Sequence, residues 1–386
     1  MQPALEGIKV LDLGYYIAGP YTSMLLGDQG AEVIKVERPE GDPGRQLSGF
    51  VVWNRGKRSI TIDLKQKQGQ KIAQELARRC DILIQNFRPG AAEKLGVGYE
   101  TLSQLNPRLI YCAISGYGEQ GPYRDKPGWD PLVSSYAALY SDQPGLGEPP
   151  TFFVLPLASY YAAFMAAFSS VTALYVQEVT GRGQKIEMPL LNAITLVQTS
   201  SLLDFEGKIR FSSWASRGPL PLYHLYQAKD DLWFFLALGN YGFFTKFALA
   251  VGHEEWLTNP LFEGAPFLIR PPQSYEVERI MEGIFTTKTR EEWLEFFRQQ
   301  DIPCAPAKRV DEFLDDPQVA ANEMVVELED PNVGTVRQMG IPVKLPLTPG
   351  KLKGPSPLPG EHTEEILGEL GYSSDKVSEL RKQKIV

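Results

Sequence analysis

Four cations in the first hundred residues stand just behind short β-rich runs. Arg38 follows AEVIKVE, Lys65 follows RSITIDL, and Arg88 and Lys94 follow DILIQNF. A single Lys or Arg is most often a solvated surface charge. Ligands of parallel sheets, however, bind beyond the strand C-termini, and cations with backbone N–H groups at such loops suit phosphate. Other familiar chemistries lack their residues. His224, His253 and His362 show no metal-ligand spacing, and Cys80, Cys112 and Cys304 are too scattered for a zinc site or a disulfide framework. GYGEQGP (116–122) and TGRGQ (180–184) lack the Gly-Lys-Ser/Thr ending of a phosphate-cradling loop, so Gly181 and Gly183 read as a tight turn.

The elements that must position these cations alternate. IKVLDL (8–13), AEVIKVE (31–37), RSITIDL (58–64), DILIQNF (81–87) and RLIYCAISG (108–116) have strand character. Between them, QKQGQKIAQELARRC repeats Ile72, Leu76 and Cys80 at helical spacing. Such alternation predicts βαβ units and a mainly parallel sheet, an α/β fold. Domain boundaries are expected at 1–205 for a large Rossmann-like domain and 219–328 for a smaller α+β domain. A C-terminal segment, 330–386, is expected to return to the large domain through a proline-rich connector between Pro346 and Pro359. In the small domain, LYHLYQAKDDLWFFLALG reads as two strands around a turn, and TREEWLEFF as a helix with a Thr289–Glu292 capping box.

The chain has 386 residues, 43% of them hydrophobic, enough for two packed domains. A net charge of −8 argues against nucleic acid as a partner, which needs a basic surface. Residues 149–176 carry no formal charge, yet three prolines and several Ser/Thr weaken any membrane reading. The Ala/Ser/Tyr mixture suits instead a helix packed on all sides within a protein, so no membrane partner is expected. The strand pattern begins close to the N-terminus and leaves no room for a signal peptide, which points to the cytoplasm.

Ordered segments through nearly the whole chain resemble the family III CoA-transferases, the group of formyl-CoA transferase, carnitine CoA-transferase and alpha-methylacyl-CoA racemase. They are GIKVLDLGYYIAGPYTSMLLGDQGAEVIKVERPEGD, NRGKRSITIDLK, QNFRPGAAEKLGVGYETL, NPRLIYCAISGYGEQGPY, TGRGQ, IPCAP and GEHTEEIL. The resemblance implies coenzyme A or acyl-CoA as the bound substrate, with no metal, and two subunits interlocked as a dimer. It places Arg38, Asn86, Phe87 and Lys94 along the CoA groove, and Tyr16, Lys65 and Arg88, in the loops behind the strands, read as further CoA contacts.

The resemblance also implies a loss. LPLASYYAAFMAAFSSVTALYVQEVTGRGQ (155–184) is similar to the family's catalytic helix, and counting back from Thr180 puts Ser159 where the family has its nucleophilic aspartate. In such enzymes the aspartate attacks the acyl-CoA to give a mixed anhydride, and CoA thiolate then forms an aspartyl thioester. A serine can accept an acyl group, but it has no carbonyl with which to hold CoA. The racemase branch adds a histidine in a G-H-D pattern, matched here by Gly128-Trp129-Asp130. Trp129 then reads as an apolar wall, and Asp130 as a carboxylate that orients a helix start. Ile17 cannot donate a hydrogen bond to an oxyanion, whereas Tyr16 can.

Three readings follow. The first is a non-catalytic subunit of a heteromeric CoA-transferase, moving CoA between a thioester and a carboxylic acid with a same-fold partner, as heterodimer or heterotetramer. The second is a self-sufficient acyl-CoA enzyme, a homodimer with Asp130 or a tyrosine as acid–base. The third is a CoA-ester binding or regulatory protein.

Overall fold

The structure is a computed structural model and describes residues 2–142, 149–199, 201–207, 220–331 and 333–386. Six short strands account for the alternating pattern: β1 (Lys9–Asp12), β2 (Glu32–Glu37), β3 (Arg58–Thr61), β4 (Ile82–Gln85), β5 (Ile110–Ser115) and β6 (Lys185–Pro189). They form one sheet in the order β3-β2-β1-β4-β5-β6, and every pairing is parallel. That order reverses direction at β1, where β2 lies on one side and β4 on the other. Doubly wound sheets open a crevice there, beyond the C-terminal strand ends. Ile82, Leu83 and Ile84 of β4 are fully buried, as a strand covered on both faces requires.

The chain divides into two compact units. The larger takes Met1–Leu139, Phe153–Asp204 and Gln318–Val386, and the smaller takes Tyr140–Phe152 and Phe205–Pro317. The boundary expected near Pro219 lies outside the described residues.

In the larger unit, helix Lys67–Arg78 turns Ile72, Ala73, Leu76 and Ala77 inward against Leu11, Ile60 and Leu83 of the sheet. The C-terminal helices Thr363–Glu369 and Ser374–Lys382 add Ile366, Leu367, Val377 and Leu380 to the same core. Each such side chain contributes about 1.5–3 kcal/mol by leaving water. Helix Ala18–Asp28 packs instead beside the long helix Leu157–Thr180, where Tyr21, Met24, Trp53 and Ala163 cluster.

That long helix corrects one expectation. It has 24 residues and is apolar enough to cross a membrane by length and composition, but it is not packed on all sides. Small residues, Ala158, Ala162, Ala163, Ala166, Ser170 and Ala173, form a buried face. The large ones, Tyr161, Phe164, Phe168, Val171, Tyr175 and Val179, form an exposed stripe at helical spacing. Small side chains let the helix approach its neighbours closely, and the bulky side chains are left on the outer face.

The smaller unit is built on an antiparallel sheet of β7 (Tyr223–Gln227), β8 (Trp233–Ala237) and β9 (Cys304–Pro306), in that order. Tyr226, Phe234, Phe247, Phe285, Trp293 and Phe297 fill its core. Its helix Arg290–Gln299 starts with the capping box that the sequence spacing predicts: Thr289 Oγ1 accepts from Glu292 N, and Thr289 N donates to Glu292 Oε2 at 2.8 Å.

Candidate active site

The crevice beyond β1 and β4 holds a cavity of about 590 Å³. Tyr15, Tyr16 and Ile17 line it from the loop after β1, Asn86, Phe87 and Arg88 from the loop after β4, and Ser115 and Gly116 from the end of β5. Trp129, Asp130, Val154 and Ser159 add to the wall. Four of the residues expected to contact CoA, Tyr16, Asn86, Phe87 and Arg88, are therefore brought together with Ser159 and Asp130. Arg38, Lys65 and Lys94 are not among the lining residues. Arg38 is exposed, donating Nε–H to the Gly41 carbonyl at 3.1 Å, and Lys65 and Lys94 are also exposed.

Buried charges fix the loop after β1. Asp12 Oδ1 accepts from Gly14 N at 2.8 Å, while its Oδ2 accepts from Ser23 Oγ at 2.7 Å and Lys57 Nζ at 2.9 Å. Lys35 Nζ donates to the Gly14 carbonyl at 2.9 Å and pairs with Asp42 Oδ2 at 2.8 Å, with both side chains fully buried. Burial alone would lower the Lys35 pKa, but Asp12, Asp42 and Glu37 more than offset it and hold the ammonium above its ordinary value. Burial pushes Lys57 down to about 8, against the pull of Asp12.

Asp42 carries this scaffold to the cavity. Its Oδ1 accepts from Gly44 N at 2.7 Å and from Tyr16 N at 3.3 Å. Tyr16 has φ 60°, the left-handed region that costs a residue with a Cβ about 1–3 kcal/mol. Gly44 must lack a side chain because a Cβ there would lie 2.9 Å from Tyr16 Cα. The next wall is pinned by an amide. Asn86 Oδ1 accepts from Tyr15 N and its Nδ2 donates to the Tyr15 carbonyl, both at 2.8 Å. The Asn86 side chain is thereby engaged in holding the loop, and the Tyr15 ring meets Phe87 edge-on at 5.5 Å.

Ser159 sits in the first turn of the long helix. Pro156 occupies the N-cap position and supplies no side-chain cap. Asp130 replaces it from elsewhere in the chain: its Oδ2 accepts from Ser159 N at 2.7 Å, and its Oδ1 from Ser134 Oγ at 3.1 Å. A carboxylate at a helix N-terminus satisfies an orphan N–H and faces the positive end of the helix dipole. The expected orienting role of Asp130 thus has a geometric basis. Its residue is only 8% exposed, and burial together with its charge raises the Tyr160 pKa. Gly116 and Gly128 bring the Asp130 loop against β5, since a Cβ on Gly116 would lie 2.4 Å from Gly128 Cα. The site thus offers a hydroxyl at 159, with the nearby carboxylate already accepting hydrogen bonds on both oxygens.

Residue patterns alone did not single out Lys35 and Asp42, or the lining residues Arg124, Lys126 and Val154. The GDPGR segment gave the only signal, through its glycines and its place behind β2. Lys126 lies with Nζ 3.7 Å from the Tyr123 ring centroid, and Arg124 lies 3.6 Å from Asp125. Among the described residues, no three His, Cys, Asp or Glu side chains are grouped to hold a metal ion.

Comparisons with known proteins agree on the scaffold. The chain is 30% identical over 395 residues to succinyl-CoA–D-citramalate CoA-transferase of Chloroflexus aurantiacus, covering 99% of this chain and 98% of that protein. It is 32% identical over 400 residues to the succinyl-CoA–L-malate CoA-transferase beta subunit of the same organism, with 99% and 98% covered. A crystal structure of a CAIB/BAIF family protein from Brucella suis superposes with a TM-score of 0.85 at 28% identity, over 96% of this chain and 100% of that one. Residues 5–363 match the sequence profile of CoA-transferase family III. A doubly wound sheet with its cavity at the switch point, and full-length likeness to these transferases, make the chain a member of CoA-transferase family III.

Proposed function

We propose that this chain is the non-catalytic subunit of a heteromeric CoA-transferase, which moves CoA from a thioester to a carboxylic acid. The observation that carries this reading is the pairing of Ser159 with Asp130. The backbone at 159 is held at the cavity by a 2.7 Å hydrogen bond, as a presented nucleophile needs, yet the side chain there has no carboxyl group. Asp130 makes a poor substitute, because both of its oxygens accept hydrogen bonds that hold the helix start. A same-fold partner would supply the aspartate, and one relative is itself named as a beta subunit. The exposed stripe from Tyr161 to Val179 supports a partner chain covering the long helix, in an interlocked heterodimer or heterotetramer in the cytoplasm. In that assembly Arg88, Arg124 and Lys126, which line the cavity, would meet CoA phosphates.

The test is to incubate the pure chain with acyl-CoA and hydroxylamine, alone and mixed with same-fold partner chains. No turnover and no hydroxamate at residue 159 is expected from the chain alone, with turnover on adding a partner and the hydroxamate on the partner's aspartate. Robust transfer by the pure chain would overturn the reading.

A further inference from the structure

We infer that the acyl part of the thioester bound at this site is apolar and aromatic or bulky, rather than a short dicarboxylic chain. The inference rests on the CoA-binding reading and asks what lies next to residue 159. Trp129 immediately precedes the carboxylate that holds Ser159 N, and it is 51% exposed. Its ring meets Tyr16 edge-on at 4.9 Å, forming an aromatic corner. Val154, five residues before Ser159, is 85% exposed, and Ile17 lines the cavity beside Tyr16. Large apolar groups left open to water, and converging on one cavity, signify a surface that something apolar covers.

Two further observations point the same way. Tyr16 is held in its left-handed conformation by Asp42, which is clamped in turn by the buried Lys35. An aromatic residue whose strained backbone is fixed by fully buried charges is a prebuilt wall, and backbone strain of this kind collects at ligand sites. Charge disfavours the alternative. Among the described residues, Asp130 is the one acidic residue lining the cavity, and its hydrogen bond to Ser159 N places it at the end where the acyl group would lie. A second carboxylate on the substrate would meet repulsion there. Of the three cations among the lining residues, Lys126 lies over Tyr123, Arg124 lies beside Asp125, and Arg88 stands on the loop after β4. They suit the phosphates of CoA, which every thioester shares.

The experiment measures dissociation constants of free CoA, phenylacetyl-CoA and succinyl-CoA with the full chain by calorimetry. Phenylacetyl-CoA should bind at least about tenfold more tightly than succinyl-CoA, the discrimination expected for burying or excluding an aryl group in an apolar pocket. Trp129→Ala should bring that ratio within about threefold, and Trp129→Phe should keep the preference. Because the indole is half exposed, its truncation spares the fold, and an unchanged thermal midpoint verifies this. Equal or tighter binding of succinyl-CoA, or a ratio unmoved by Trp129→Ala, would overturn the inference and leave CoA binding intact. Failure of all three ligands to bind would instead overturn the CoA-binding reading, and this inference with it.

Discussion

Replacing Asp130 with alanine tests the central positioning argument. Asp130 is buried and accepts from Ser159 N at 2.7 Å and from Ser134 Oγ at 3.1 Å. Losing the cap on an orphan helical N–H costs about 1 kcal/mol. Removing the negative charge from the N-terminus of a 24-residue helix adds about 0.3–1 kcal/mol, and stranding the Ser134 hydroxyl adds about 1 kcal/mol. Asp130→Ala should therefore lower stability by on the order of 2–3 kcal/mol. Asp130→Asn keeps an acceptor oxygen and loses the charge, so about 1 kcal/mol is expected. Equilibrium urea denaturation followed by far-UV circular dichroism reads both values as shifts in midpoint at constant slope. A loss under about 0.5 kcal/mol for the alanine variant would refute the idea that this carboxylate caps the helix. The asparagine variant is a second check, since a merely space-filling aspartate would lose almost nothing on replacement by the isosteric asparagine, whereas loss of the charge costs about 1 kcal/mol.

Two further outcomes follow from the buried charges behind Tyr16. Asp42→Ala leaves the Lys35 ammonium buried beside one fewer carboxylate and frees Tyr16 N, so a loss of about 3–5 kcal/mol is expected by urea denaturation. Glu37 sits among Arg45 and Lys35; burial would raise its pKa, but the Arg45 hydrogen bond and the Lys35 charge win and hold it below the ordinary 4.5. Because the folded value lies below the unfolded one, this stabilisation is present above about pH 4.5 and fades as pH falls through the folded pKa. Glu37→Gln should therefore flatten the dependence of stability on pH below about 4.5, and an unchanged acid slope would count against it.

Local residue chemistry was enough to specify much of the scaffold. The β-rich runs in βα alternation announced the parallel sheet, because strand and helix periodicities are short-range properties readable in a few residues. The capping box at Thr289 was equally legible, since both partners lie within four residues of each other. The resemblance, and not spacing by itself, assigns Ser159 to the position of the family's aspartate, a fixed distance before TGRGQ. Tertiary structure alone decided the rest. Asp130 reaches Ser159 across 29 residues, Asn86 reaches Tyr15 across 71, and Asp42 reaches Tyr16 across 26. No periodicity encodes such pairings, because they depend on which loops the strand order brings to one end of the sheet. For the same reason Arg38, Lys65 and Lys94 looked equivalent to Arg88 in sequence, although only Arg88 lines the cavity. The long helix gives the last contrast: its charge-free composition foretold burial, but burial depends on neighbours, and only one face of small residues found them within the chain.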